Sequence, residues 1–171
     1  MNLLEQFRDV RTIILDVDGV LTNNELIITE DGELLRTMNA RDGFAMKQAI
    51  ISGYHLAIIT GGSSKGVISR LQGLGVKDIY TGVHNKLEVF NELVDKYGID
   101  VNTTLYMGDD IPDIEPMRRV GIACCPADAI PEVKKVSTFV TIKKGGEGCV
   151  REVFEKILIL NNKWPHKDLR N

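Results

Sequence analysis

The sequence predicts an α/β fold: a mostly parallel, doubly wound, Rossmann-like sheet in three layers. Three observations point there. Short apolar runs recur along the chain, and the longest are continuous and rich in β-branched residues, as strands buried on both faces are. Stretches with helical periodicity separate these runs, which is the pattern of strand–helix–strand crossovers. Each of the longest runs also leads into polar residues and glycine, and ligands bind at the carboxyl ends of strands in such sheets.

The elements follow in order. The opening MNLLEQFRDVR has no long apolar stretch before a cleavage site and does not read as a secretion signal. TIIL at 12–15 is the first strand. Glu25 to Met38, ELIITEDGELLRTM, breaks the alternation, because two β-like runs flank Asp31-Gly32, a strong turn signal. A β-hairpin insertion is therefore expected at 24–38, with a helix after it near Arg41 to Ser52. LAII at 56–59 is the next long strand. Val67, Ile68, Leu71 and Leu74 mark a helix that ends near Gly75, and DIYT at 78–81 is a shorter strand. Leu87, Phe90, Val94 and Tyr97 share one face of a helix from Lys86 to Tyr97, which Gly98 stops. TLYM at 104–107, GIACC at 121–125 and TFVTI at 138–142 supply the remaining strands. Val150, Val153, Phe154, Ile157 and Leu158 mark the last helix. The end of the chain, KWPHKDLRN, is polar, and residues 162–171 are expected to form a loosely ordered tail. No repeat or linker interrupts the pattern, so 1–171 reads as one domain.

Composition narrows the function. A chain of 171 residues can bury a real core, and 43% hydrophobic with 26% charged residues argues against long disorder. The net charge of -3 offers no basis for nucleic acid or an anionic membrane as a partner. No stretch is long and apolar enough to cross a bilayer. Cys124, Cys125 and Cys149 are odd in number and lack CxxC spacing, which speaks against a disulfide framework or a zinc site. A cytoplasmic protein is the simplest reading.

The chemistry lies where the strands end. Asp16 and Asp18 follow TIIL, Thr60 and Gly61 follow LAII, and Gly108, Asp109, Asp110 and Asp113 follow TLYM. Adjacent parallel strands would bring these groups to one mouth, and Lys86 opens a helix soon after DIYT. Several carboxylates this close cannot all stay ionised without a compensating cation. Oxygen ligands alone, with no Cys or His among them, point to Mg²⁺. Lys86 and Thr60 would supply a positive charge and a hydroxyl for phosphate oxygens. Such a site suits phosphoryl transfer, in which one aspartate can be the nucleophile and a second carboxylate can serve as general acid and base.

DVDGVLT, IITGG, the lysine at 86 and GDDIPD together resemble, in order, the four motifs of the haloacid dehalogenase superfamily. The resemblance spans about Ile13 to Val153. It implies that Asp16 is the nucleophile and Asp18 the general acid and base. It also implies that Thr60, Gly61 and Lys86 hold the phosphoryl group, and that Mg²⁺ binds Asp16, Asp109 and the Asp18 backbone carbonyl. Asp110 and Asp113 would support the metal shell or Lys86. There is room for only a hairpin after the first motif and for a helix and a strand after the second, so the chain has no cap domain. DGVLT, NARDG at 39–43 and GGEGCVRE at 145–152 resemble, more narrowly, the 3-deoxy-D-manno-octulosonate 8-phosphate phosphatases. This implies a sugar-acid phosphate as substrate, a role in lipopolysaccharide precursor synthesis, and a homotetramer assembled through the hairpins. It implies further that Arg70 contacts the substrate carboxylate and that Gly145, Gly146 and Gly148, after Lys143 and Lys144, fold over an active site. Relatives acting on nonulosonate 9-phosphates tend to carry Glu where this chain has Gly62, which favours the eight-carbon substrate.

Plainer readings compete. Taken singly, Asp16 and Asp18 could cap a turn, Thr60 could be structural, and Lys86 could be a solvated helix start. Asp110 and Asp113 could be first-turn acids favoured by the helix dipole. The ordered set outweighs these. Cys124 and Cys125 read as core filler, and His55 and His84 need no ligand role. A phosphorylatable receiver domain uses similar groups, but its lysine follows its phospho-accepting strand, whereas Lys86 precedes Asp109. A non-catalytic assembly module, like the capless domains fused to sugar-nucleotide synthetases, would not need the full motif set.

Overall fold

A computed structural model describes residues 2–165. Six parallel strands form the main sheet in the order β5-β4-β1-β6-β7-β8. They are β1 (Thr12–Leu15), β4 (His55–Ile59), β5 (Asp78–Tyr80), β6 (Thr104–Met107), β7 (Ile122–Cys125) and β8 (Phe139–Val140). The separate hairpin is β2 (Ile27–Ile28) paired antiparallel with β3 (Leu34–Leu35). The helices are α1 (Leu3–Asp9), α2 (Ala40–Ile51), α3 (Lys65–Gly73), α4 (Lys86–Tyr97), α5 (Ile114–Met117), α6 (Pro131–Val136) and α7 (Cys149–Leu160).

Strand alternation divides the apolar side chains between two cores. Ile13, Leu15, Leu56, Ile58, Leu105 and Met107 face one side, against Met46 of α2, Leu71 of α3 and Val153 of α7. Ile14, Ala57, Ile59 and Tyr106 face the other, against Phe90 and Leu93 of α4 and Val133 of α6. Both faces are covered, which is why the strands read as continuous apolar runs. β1 lies at the centre with β4 and β6 on either side, so the strand order reverses there, and the crevice at that reversal opens at the carboxyl ends.

Local chemistry sets the helix ends. Asn39 caps α2 by accepting the N–H groups of Arg41 and Asp42, and Asn85 caps α4 through Glu88. Gly98 ends α4 in the left-handed region at φ 61°, as its position predicted. The α7 N-terminus lacks a cap of its own. The buried Asp42 of α2 reaches across to accept the Arg151 N–H at 2.6 Å, which places a carboxylate against the positive end of that helix.

Two expectations need correction, and the sequence reading left the opening helix out. The opening segment forms α1, with a capping box between Asn2 and Glu5 and with Phe7 fully buried. The closing segment is not loose where it is described. Trp164 is buried, stacks edge-on against Phe44, and has the Arg151 guanidinium 4.4 Å from its ring centroid. The polar tail expected beyond it, 166–171, lies outside the described residues. The glycine-rich segment packs inward. The Gly146 N–H bonds to the Val20 carbonyl at 3.0 Å, and a Cβ on Gly145 would overlap the Gly19 carbonyl. It braces the loop after β1 within the same chain.

Candidate active site

The ends of β1, β4 and β6 and the start of α4 enclose a cavity of about 260 Å³. Asp16, Asp18, Thr60, Gly61, Lys86, Asp109, Asp110 and Asp113 all line it, as the sequence predicts. Register places them there, because Leu15 pairs with Ile58 and with Met107, so the residues that follow emerge side by side.

The cavity floor is a buried charge cluster. Lys86 Nζ lies 2.8 Å from Asp16 Oδ2 and 2.7 Å from Asp113 Oδ1, and its side chain is only 5% exposed. Asp16 Oδ1 also accepts the Val17 N–H at 2.7 Å. Asp113 is fully buried and fully engaged. Besides Lys86 it accepts the Tyr106 hydroxyl at 3.0 Å and the Asp109 N–H at 3.1 Å. It thus fixes both the lysine and the loop that carries Asp109.

Asp109 differs. Its Oδ1 is buried and finds no hydrogen-bond donor among the described residues. Its Oδ2 lies 3.5 Å from Asn24 Nδ2. Burial, then the nearby charges of Asp16 and Asp113, push its pKa up to about 8. The same two causes, burial and then Asp113, raise Asp16, against Lys86 and the Val17 N–H. Lys86 is desolvated, but its two carboxylates outweigh that and hold it in the ammonium form.

Two glycines make the convergence possible. A Cβ on Gly19, which sits at φ +86°, would overlap the Asp109 carboxylate. A Cβ on Gly108 would overlap the Asp113 side chain.

This cluster fits a divalent hard cation. Asp16, Asp109 and Asp113 each offer an oxygen, and these oxygens lie within 4.8 Å of one another. Three carboxylates against one ammonium leave two formal negative charges, which a dication cancels. The orphaned Oδ1 of Asp109 is a ready ligand atom. Asp113 belongs to the buried triad, although its oxygens are already occupied by Lys86, Tyr106 and the Asp109 amide.

The other predicted residues divide. Thr60 is buried, and its Oγ1 accepts the Gly62 N–H at 3.3 Å, leaving its own hydrogen to donate. Asp110 caps the turn after β6 through the Ile111 N–H. Asp18 turns its carboxylate to Arg36 of the hairpin, whose Nε lies 2.6 Å from Oδ1. Arg70 does not join them. It projects from the last turn of α3, and its guanidinium lies against Gly43 of α2, outside this cavity. Sequence reasoning missed Asn24, Arg36 and Tyr106, and set aside His84, which lines the cavity. Of the three missed, only Tyr106 left a signal, a phenol in a largely apolar strand, whose hydroxyl needs a buried partner.

Comparison with known proteins agrees with this geometry. A family model described as haloacid dehalogenase-like hydrolase matches residues 72–153. The chain is 37% identical over 162 residues to the 3-deoxy-D-manno-octulosonate 8-phosphate phosphatase KdsC of Escherichia coli (strain K12), across 95% of this chain and 86% of that protein. The crystal structure of 3-deoxy-D-manno-octulosonate 8-phosphate phosphatase from Yersinia pestis superposes with a TM-score of 0.91 at 35% identity, covering 94% of this chain and 87% of that one. The enzyme of the same name from Moraxella catarrhalis, solved with magnesium ion, phosphate ion and KDO, gives a TM-score of 0.89 at 34% identity, covering 93% and 91%.

Proposed function

Because the chain belongs to the haloacid dehalogenase-like hydrolases, and among them to the family of the 3-deoxy-D-manno-octulosonate 8-phosphate phosphatases, we propose that it is a Mg²⁺-dependent phosphatase acting on 3-deoxy-D-manno-octulosonate 8-phosphate. The observation that carries the reading is the meeting of Asp16, Asp109 and Asp113 around Lys86 at the switch point of the sheet. Asp16, Asp109 and the Asp18 backbone carbonyl would hold Mg²⁺, with Asp110 and Asp113 in support. Bound there, the ion offsets negative charge on the carboxylates and on the phosphate oxygens.

The residues then divide the work. Asp16 attacks phosphorus, forming a carboxylate oxygen–phosphorus bond as the bond from phosphorus to the sugar oxygen breaks. Asp18 gives its proton to the departing oxygen. Water next attacks the aspartyl-phosphate and Asp18 takes the water proton. Inorganic phosphate leaves and Asp16 is restored. Lys86 uses two N–H groups on Asp16 and Asp113, so a third can meet a phosphate oxygen. The Thr60 hydroxyl and the loop at Gly61 meet the others.

The hairpin supports a homotetramer. Leu26, Ile27, Ile28, Leu34 and Leu35 are all exposed on it, an apolar surface suited to further copies of the chain. A pocket without a cap leaves its substrate in water unless neighbours close it, so an isolated monomer is expected to turn over poorly. A contact between Arg70 and the substrate carboxylate would have to come from such a neighbour. The three free, buried cysteines favour the reducing cytoplasm, where lipopolysaccharide precursors are made.

The test compares kcat/KM for the eight-carbon ester and a nonulosonate 9-phosphate, with Mg²⁺ and with a chelator. A preference of at least about tenfold for the eight-carbon ester, abolished by the chelator, is expected. Preference for the nine-carbon ester, or undiminished turnover in the chelator, would overturn the reading.

A further inference from the structure

We infer that Arg36, on the hairpin, is a positioning residue that sets the direction of the Asp18 carboxylate. The inference rests on the reading of Asp18 as the general acid and base. Arg36 Nε lies 2.6 Å from Asp18 Oδ1, and Arg36 Nη2 lies 3.1 Å from Asp18 Oδ2. This side-on fork fixes both the place and the plane of the carboxylate, which a lysine, as a point charge, could not do. The fork is itself anchored. Arg36 Nη1 donates to the Leu34 carbonyl at 2.9 Å, which ties the guanidinium to the strand beside it. The Arg36 side chain is 6% exposed, so the pair is held out of water on the arginine side.

The second observation is the space the pair occupies. A Cβ on Gly62 would stand 3.0 Å from Asp18 Oδ2 and 3.1 Å from Arg36 Nη2. Both are tighter than ordinary contact. The bare backbone at 62, directly after the phosphate-facing Thr60 and Gly61, is what lets a guanidinium and a carboxylate meet there. The two motif aspartates thus have separate cations, Lys86 for Asp16 and Arg36 for Asp18. Two aspartates separated by a single residue thus have different partners and can take different tasks. The acid–base group is also tied to the hairpin, the element that carries the exposed apolar surface.

The test uses the full-length protein with Mg²⁺ and two kinds of ester. An alkyl phosphate, such as the sugar-acid ester, needs a proton on its leaving oxygen. p-Nitrophenyl phosphate scarcely does. kcat/KM covers the steps up to departure of the leaving group, so the alkyl-to-aryl ratio reports the acid. The ratio within one sample is also independent of the folded fraction. Asp18→Asn is expected to lower it by roughly a hundredfold or more. Arg36→Gln should lower it in the same sense by roughly tenfold, Arg36→Lys should restore part of the loss, and Arg36→Gln should add nothing in the Asp18→Asn background. An Arg36→Gln variant that loses both activities in equal measure, or whose loss multiplies with that of Asp18→Asn, would overturn the inference alone. An unchanged ratio in Asp18→Asn would remove the acid–base reading, and this inference with it.

Discussion

The two ends of the sheet each bury an aspartate beside a cavity, and they treat it in opposite ways. At the amino end, Asp78 lies by a cavity of about 350 Å³, larger than the one at the carboxyl end. Asp78 is satisfied there. His55 Nε2 lies 2.8 Å from Oδ2, while the Tyr97 hydroxyl and Lys96 Nζ approach Oδ1 at 2.8 and 3.3 Å. At the carboxyl end, Asp109 has one buried oxygen with no donor among the described residues and shares a single lysine cluster with Asp16 and Asp113. Volume would select the wrong end. Incomplete charge balance selects the other, because there three buried carboxylates face a single ammonium.

The sharpest way to break this comparison is to remove the group assigned to accept phosphorus. Asp16→Asn should lower kcat on p-nitrophenyl phosphate by about 10⁴-fold or more while the circular dichroism spectrum is unchanged. Substantial remaining turnover would show that the unbalanced cluster is not the reacting one. The next effect is thermal. Mg²⁺ at a hundred times its Kd should stabilise the protein by about 2.7 kcal/mol, which for a chain of this size is about 5–10 °C in Tm. Asp109→Asn should abolish that rise and, by removing a like charge, should melt no lower than the parent without Mg²⁺. A metal-induced rise that survives Asp109→Asn would mean that the cation sits elsewhere.

The carboxyl end was the more legible of the two in the sequence. Asp16, Thr60 and Asp109 each come after a short apolar run that reads as a buried strand, TLYM more weakly than the other two, and parallel register does the rest. Lys86 was legible because it opens a strongly periodic helix. Asn24 and Arg36 were not. They reach the site through the return path of a short hairpin, and nothing in strand periodicity fixes where such a path ends. α1, α5 and α6 escaped notice because four to seven residues give too few turns for a period to show. Trp164 was hidden by its polar neighbours, although a large ring usually finds cover. Arg70 illustrates the converse. Only the family resemblance marks it as a candidate, and the direction in which a helix projects a side chain depends on packing that a motif does not encode.

Asp78 provides the smallest effect and the cleanest contrast, because it should matter to stability alone. Burial by itself would raise its pKa, but the hydrogen bonds from His55, Tyr97 and Lys96 outweigh burial and lower it. A carboxyl lowered on folding contributes stability above its unfolded pKa, about 4, and loses that contribution as the pH falls through its folded value. Lys96 is 56% exposed, so water screens its share, and His55 and Tyr97 carry most of the effect. Asp78→Asn should therefore cost about 1–3 kcal/mol at neutral pH, read as a lower Tm, with kcat within about twofold of the parent. The difference in Tm between parent and variant should shrink as the pH is taken below 4, since the parent loses the ionised form that the variant never had. A loss of turnover with Tm unchanged would reverse the assignment of the two ends, because the satisfied aspartate would then be the one taking part in chemistry.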